Sequence, residues 1–239
     1  MNPPIVLLHG LTFDRRHFDP MIRSLAAVAP GRQVLALDLP GHGDAPPRAS
    51  YHRAAVAEAL HEQIGHLPPP VLVGHSVSAI LATTYAARYP AHAVLNLDQP
   101  LLTGPFGAAV RAAEPVLRSP GWRTVWDGFL AGMGIPALPS AARELVETAT
   151  DPRPDLLLGY WDEILRHTDE ELTTRTETDL RTLTARAVAY HWVTAAQPHA
   201  PYRAWLAEQL PQAGITVLPG GHFPHLSHPG EVARIAAAL

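Results

Sequence analysis

The chain contains neither cysteine nor lysine, and both absences narrow the kinds of protein it can be. Without cysteine among its 239 residues, it can form no disulfide and no thiolate metal site. All 18 basic side chains are arginines, and 22 acidic residues give a formal net charge of −4. This balance gives no reason to expect a nucleic-acid partner or an anionic surface as a partner.

Long apolar runs and clustered metal ligands are also absent from the sequence. The first apolar run, at residues 5–8, is too short for a signal peptide or a membrane span, and no basic region precedes it. The 14 histidines are scattered, and no His-x-x-x-His pair stands on a clear helix with a carboxylate partner. We therefore expect a soluble, cytoplasmic protein with no metal ion, no cofactor and no membrane partner. The sequence does not predict an oligomeric state.

Short apolar runs alternate with helical patterns along most of the chain. The apolar runs predict buried strands at residues 5–8, 34–37, 71–73, 94–97, 187–193 and 215–218. The helical patterns cover residues 20–29, 52–66, 78–89, 202–209 and 230–239. Such alternation predicts an α/β fold in which a parallel sheet carries helices on both faces. One connection is much longer: residues 100–180 contain no convincing strand and read as several helices broken by prolines.

Residues 74–78, Gly-His-Ser-Val-Ser, lie between an apolar run and a helical pattern. A serine at a strand-to-helix turn, with small residues two positions before and after it, is the pattern of a nucleophile elbow. The tight turn requires small neighbours, and the amide end of the following helix favours an oxyanion beside Ser76. Because the fifth position is Ser78 rather than glycine, an ordinary glycine-containing βα turn is the alternative interpretation.

A serine nucleophile needs a histidine as general base, because its hydroxyl is a weak nucleophile at neutral pH. His222 follows two glycines directly after the last predicted strand, which places it at the same edge of the sheet as Ser76. We prefer His222 to His225, which lies nearer the final helix and is assigned a packing or pocket role.

The loop after the first predicted strand begins with His9, Gly10 and Leu11. In an open α/β sheet, ligands bind at the carboxyl ends of the strands. The amides of Leu11 and Val77 are therefore the predicted oxyanion hole. A plain strand-to-loop turn, with His9 packed as a structural histidine, is the alternative.

The acid that would orient the histidine is missing from its usual place, the loop after the next-to-last strand. That loop, at residues 194–201, has no carboxylate, and the only acid between residues 180 and 221 is Glu208. Glu208 falls late in a helix that leads into the last strand, so we expect it at the wrong edge of the sheet. Asp98 ends the strand that follows the elbow helix and should emerge beside Ser76. We predict Asp98 as the acid; an aspartate that caps the start of the insertion is the alternative.

Together these motifs resemble those of the α/β-hydrolase superfamily. They occur in the same order as in that family and span nearly the whole chain. The matching segments are residues 8–11, 38–43, 74–78 and 221–226. The resemblance implies a mostly parallel sheet of about six strands, without the usual amino-terminal hairpin. It also implies a core of residues 1–99 and 181–239 and a helical lid at 100–180. Some family members place the triad acid one strand early, as at Asp98.

The lid region contains a group of aromatic residues. Trp126, Phe129 and Trp161 are the predicted pocket residues among them, because lids close over the serine. A lid core built from the same side chains is the alternative.

The predicted function is a carboxylic ester hydrolase that cleaves an ester, lactone or thioester of a small apolar molecule. It would use Ser76, His222 and Asp98 and an acyl-enzyme, with the small-molecule substrate as its only partner. Two alternatives are a ligand-binding sensor with slow turnover and a biosynthetic enzyme that uses the pocket for a non-hydrolytic reaction. Residues 74–80 are also similar to the elbow of bacterial stress-signalling hydrolases and plant karrikin and strigolactone receptors, whose acid lies at the late position that is empty here.

Overall fold

A computed structural model describes residues 2–239, which contain one sheet of six parallel strands. The strands pair in the order β2-β1-β3-β4-β5-β6, and every pair is parallel. They are β1 Ile5–Leu8, β2 Val34–Leu37, β3 Val71–His75, β4 Ala93–Leu97, β5 Ala189–Thr194 and β6 Gly214–Val217. The sequence-based prediction of a parallel sheet of about six strands is confirmed.

The five helices with predicted bounds lie close to their expected positions, and seven further α-helices among residues 2–239 had no predicted bounds. The α-helices are α1 Asp19–Val28, α2 Arg53–Ile64, α3 Val77–Arg88, α4 Gly104–Leu117, α5 Trp122–Ala131, α6 Ser140–Thr148, α7 Pro154–Tyr160, α8 Asp162–Arg166, α9 Asp169–Ala185, α10 Ala200–Gln209, α11 Pro224–Ser227 and α12 Pro229–Ala238. Among residues 2–239, no helix is long and apolar enough to cross a membrane. The fifth strand begins two residues later than predicted, because Ala187 has a φ of 53°, a left-handed conformation outside the β region.

Helices cover both faces of the sheet, and the alternation of side chains along each strand explains how. In β1, Ile5 and Leu7 pack into a core with residues of α1 and α12. Val6 and Leu8 point to the opposite face and join a larger core that includes residues of α2 and α3. Because both faces are buried, the strands read as continuous apolar runs in the sequence.

Six α-helices, α4 to α9, and a short 3-10 helix at Ile135–Ala137 separate β4 from β5 within the described part of the chain. Their apolar faces join the larger core above α3. The last of them, α9, packs against α3, and the boundary predicted at residue 180 falls within it. Since all six strands are parallel, the loops that follow β1, β3, β4, β5 and β6 meet at one edge of the sheet, beneath these helices.

Candidate active site

Ser76 stands at a sharp turn between β3 and α3. Its φ and ψ are 55° and −131°, a sparsely populated region for a residue with a side chain. A Cβ on Gly74 would lie 2.3 Å from the Ser78 carbonyl oxygen, so only glycine fits there. The buried Ser78 hydroxyl donates to the carbonyl of His9 and so ties the turn to the loop after β1. The serine at the fifth position thus has a structural use of its own.

The Ser76 turn is attached to the end of the neighbouring strand. The Ser76 amide donates to the Leu97 carbonyl at 3.0 Å, one residue before Asp98. The Asp98 amide in turn donates to Val193 of β5 at 2.7 Å, and Asp98 itself has a φ of 56°. Pairing along the sheet therefore brings the ends of β3, β4 and β5 together around Ser76 and Asp98.

The structure brings together His222 and Asp98, which lie 124 residues apart in the chain. His222 Nδ1 lies 3.0 Å from Asp98 Oδ2, and the two side chains are only 19% and 16% exposed. The other carboxylate oxygen, Oδ1, accepts the Ala195 amide at 2.8 Å. The loop after β5 thus holds the Asp98 carboxylate through a backbone amide. In the usual arrangement, that loop supplies the acid itself.

The loop that carries His222 is held from two sides. The His222 amide donates to the carbonyl of Met133, between α5 and α6, at 3.0 Å. The His222 carbonyl accepts a hydrogen bond from Nε2 of His75, the last residue of β3, at 2.8 Å. Gly221 has a φ of 89°, and a Cβ there would lie 2.7 Å from the Met133 carbonyl oxygen. The insertion therefore touches the histidine loop directly.

Ser76 and His222 line one cavity, although no hydrogen bond joins their side chains in the part of the chain described here. Hydrogen bonds of this kind are often long without substrate and tighten in the complex.

Behind Ser76 and His222 lie two fully buried imidazoles, His75 and His225, whose ring centroids are 4.5 Å apart. Burial lowers the pKa of both well below the usual value. Both are therefore neutral near pH 7, and neither places a cation beside His222.

Two histidines fix the loop that carries Leu11. His9 accepts the Leu39 amide at its Nε2, and His42 accepts the Thr12 amide, each at 3.0 Å. A Cβ on Gly10 would lie 2.7 Å from Nδ1 of His75, so this loop packs closely on the elbow strand. Leu11 and Val77 both line the cavity. Within residues 2–239, neither of their amides donates to a protein acceptor, so both remain available to a ligand.

The cavity has a volume of about 500 Å³ and largely apolar walls. Such a volume lies within the usual range for small-molecule sites. Trp126, Phe129 and Trp161, the three aromatic residues predicted from the sequence, all line it. The rings of Phe129 and Trp161 meet edge to face with centroids 5.5 Å apart, and Trp126 lies 6.3 Å from Trp161. These residues form the wall that the insertion adds to the site.

Two other candidates from the sequence do not line the cavity. Glu208 is exposed on α10, and His225 is enclosed by aromatic and imidazole rings. Among the described residues, no cluster of His, Asp or Glu side chains could hold a metal ion. Sequence analysis missed Met133 and Ala195 because they act through backbone groups, which any residue supplies. His75 could have been noticed as an imidazole directly before the elbow serine.

Comparison with known proteins indicates the family to which this chain is similar. The model of a family described as the alpha/beta hydrolase family matches residues 5–235. The pimeloyl-[acyl-carrier protein] methyl ester esterase of Chromobacterium violaceum is 30% identical, over 99% of this chain and 93% of that protein. The biotin biosynthesis bifunctional protein BioHC of Teredinibacter turnerae is 28% identical, over 97% of this chain and 43% of that protein.

Solved structures with the same fold are more distant in sequence. A structure of AqDC, which concerns recognition and ring-cleavage of the Pseudomonas quinolone signal, has a TM-score of 0.79 at 23% identity and covers 100% of this chain and 91% of its own. A thermophilic esterase from Thermogutta terrifontis has a TM-score of 0.71 at 21% identity, over 98% of this chain and 88% of its own. At these identities the likeness concerns the fold alone.

Proposed function

The chain belongs to the alpha/beta hydrolase family, and on that basis we propose that it is a serine hydrolase that cleaves a carboxylic ester of a small, largely apolar molecule. The enzyme class predicted from the sequence agrees with relatives that are named methyl ester esterases. The observation that carries the proposal is the His222–Asp98 pair, 3.0 Å apart, in the same cavity as an elbow serine.

We assign the three side chains the following roles. Ser76 Oγ attacks the ester carbonyl carbon while Nε2 of His222 takes its proton. Asp98 accepts the Nδ1–H of His222, which fixes the tautomer and stabilises the imidazolium. The tetrahedral intermediate then collapses, and the departing alcohol takes the proton from His222. Water, activated by the same histidine, attacks the acyl-enzyme and releases the acid and Ser76.

The negative charge that develops on the carbonyl oxygen needs donors that are already in place. We assign this role to the amides of Leu11 and Val77, which line the cavity and have no protein acceptor among the described residues. Val77 is also the first residue of α3, so the positive end of the helix dipole adds to the stabilisation. Loss of one such donor typically costs about a hundredfold or more in turnover.

The insertion would act as the lid over a core formed by residues 1–99 and 181–239. Its aromatic side chains line the cavity that also contains Ser76 and would exclude water there, and its Met133 carbonyl accepts the amide of His222. Apolar walls favour a small acyl or alcohol group without charge next to the scissile bond. Because relatives are named methyl ester esterases, small methyl esters are the first substrates to try.

Covalent labelling tests the nucleophile. A fluorophosphonate should add a single label, at Ser76, and the Ser76→Ala variant should take up none. Intact-mass and peptide-mass spectrometry would locate the label. A label on another serine, or no label on a preparation that hydrolyses esters, would contradict the assignment.

Substitution of the acid tests the pair. Asp98→Asn should lose about ten-thousand-fold in turnover, the cost seen for the same change in a serine protease, because the wrong tautomer is favoured and the imidazolium loses its partner. Glu208→Gln is the matched control, since Glu208 is exposed at the other edge, and should keep nearly full turnover of p-nitrophenyl acetate. Asp98→Asn with most of its activity would mean that the acid lies elsewhere. A wild-type protein without multiple turnover on short esters would favour the sensor or the non-hydrolytic alternative.

A further inference from the structure

A second polar region lines the same cavity, whose walls are largely apolar apart from Gln99 and Thr103. It consists of Arg53, Glu163 and Thr176. Arg53 begins α2, and its hydrogen-bond partners lie on α8 and α9. Within residues 2–239 it forms no hydrogen bond to Ser76 or His222. The reaction described above makes no use of this region.

The guanidinium of Arg53 is largely buried and incompletely hydrogen-bonded. Its side chain is 13% exposed. Nε lies 3.4 Å from Glu163 Oε2 and Nη1 lies 3.4 Å from Thr176 Oγ1, both longer than the usual range of about 2.7–3.2 Å. Nη2 donates to no acceptor among the described residues, and it is not fully enclosed by protein. Since a guanidinium carries five N–H donors, this cation keeps donor capacity in a residue that lines the cavity.

The nearby carboxylates are already engaged. Glu163 accepts the Arg53 amide at Oε2 at 2.9 Å and the Nη1 of Arg175 at Oε1 at 3.0 Å. Asp179, which also interacts electrostatically with Arg53, accepts the Thr84 hydroxyl at 2.7 Å, and burial raises the pKa of its carboxyl. Two guanidinium groups therefore share the Glu163 carboxylate. The chemical complement of the remaining donors is an oxygen acceptor.

We propose that Arg53 and Thr176 form a specificity subsite for an oxygen acceptor, a carboxylate or a carbonyl, at the end of the substrate remote from the scissile ester. This inference rests on the proposed function, which places the ester carbonyl at Ser76. Most of the other residues that line the cavity are apolar, so a methylene chain is the chemical match for the part of the substrate that joins its two ends. The substrate class is then the monoester of a dicarboxylic acid, or of its amide or thioester derivative, rather than a plain fatty ester.

Three esters with the same length of acyl chain test the subsite: monomethyl pimelate, its terminal amide, and methyl heptanoate. The wild-type enzyme should prefer the two acceptor-bearing esters by about tenfold or more in kcat/KM, the worth of one hydrogen bond to a charged group. Arg53→Gln should reduce that preference by about the same factor. Arg175→Gln is the matched control, because it also removes a partner of Glu163 but does not line the cavity, and it should keep the preference.

The outcomes separate the subsite from the hydrolase function. If no ester is turned over, the hydrolase proposal fails, while calorimetric titration of the Ser76→Ala variant with pimelate and with heptanoate still measures the subsite. Tighter binding of pimelate by about tenfold supports the subsite, and equal binding overturns it. Equal kcat/KM for all three esters in the wild type, or a preference that survives Arg53→Gln, also overturns it.

Two further comparisons identify the acceptor group and control for misfolding of the Arg53 variant. A larger gain for the acid than for the amide identifies a carboxylate, and equal gains identify a carbonyl. Circular dichroism checks that Arg53→Gln folds. If it does not, Arg53→Lys keeps a cation beside Glu163 but loses the planar fork, and should lower kcat/KM for the amide more than for the acid. Unchanged selectivity in Arg53→Lys for both esters would count against the subsite.

Discussion

Acidification should destabilise the fold well above the pH at which most carboxylates titrate, because several histidines are buried as neutral rings. Burial lowers the pKa of His17 and His42 from 6.5 to about 3. His17 stacks on Phe13 with centroids 4.1 Å apart, and within the described residues neither of its ring nitrogens has a hydrogen-bond partner. In the unfolded chain both histidines would take up a proton near pH 6.5. The stabilisation is therefore complete above about pH 6.5 and is lost as the pH falls toward about 3.

The size of the effect follows from proton uptake. Below pH 6.5, each such histidine lowers the free energy of unfolding by about 1.4 kcal/mol per pH unit. At pH 5, His17 and His42 together would remove about 4 kcal/mol, out of the roughly 5–15 kcal/mol that stabilises a typical domain. His75 and His225, whose pKa values burial also lowers, act with the same sign. Asp179 acts with the opposite sign, since burial raises its pKa.

The assay is equilibrium urea unfolding, followed by tryptophan fluorescence, at pH values from about 7.5 to about 5. His17→Leu removes one titrating group and should make the pH dependence shallower by about 1.4 kcal/mol per pH unit, whatever it does to stability at neutral pH. Exposed His66, replaced by glutamine, is the matched control for the loss of one histidine. A wild-type free energy of unfolding that stays constant from pH 6.5 to 5, or an unchanged slope in His17→Leu, would refute the reasoning.

Three further predictions concern the elbow, the pocket and a helix end. Gly74→Ala should abolish fluorophosphonate labelling, because the added Cβ would lie 2.3 Å from the Ser78 carbonyl oxygen; a labelled, fully active variant would contradict the close packing. Trp126→Ala and Trp161→Ala should change the preference for acyl-chain length more than the turnover of the smallest ester, and unchanged selectivity in both would mean that these rings only pack the insertion. Thr168→Ala removes the side chain that caps α9 and should cost about 1 kcal/mol in urea unfolding, so an unchanged midpoint would show that the cap contributes nothing.

Local patterns in the sequence were sufficient for the six predicted strands, for five of the helices and for the position of the elbow. Continuous apolar runs marked strands because both faces of a parallel sheet are buried. The small residues around Ser76 marked the turn because the backbone there leaves no room for larger ones, as the 2.3 Å approach at Gly74 shows. These signals lie within a few residues of each other, so they can be read without knowledge of the fold. The start of β5 at Ala189 could not be read in this way, since nothing in the sequence marks the left-handed conformation of Ala187 two residues earlier.

Contacts between distant segments were decided only by the tertiary structure. Exclusion and strand order pointed to Asp98, but its 3.0 Å contact with His222 depends on a loop 124 residues away. The Ala195 amide and the Met133 carbonyl take part through the backbone, which no side-chain pattern reveals. Arg53 and Glu163 are 110 residues apart, and each alone reads as an ordinary surface charge. Sheet order and the packing of the insertion bring such groups together, and that arrangement is a property of the whole chain rather than of any one segment.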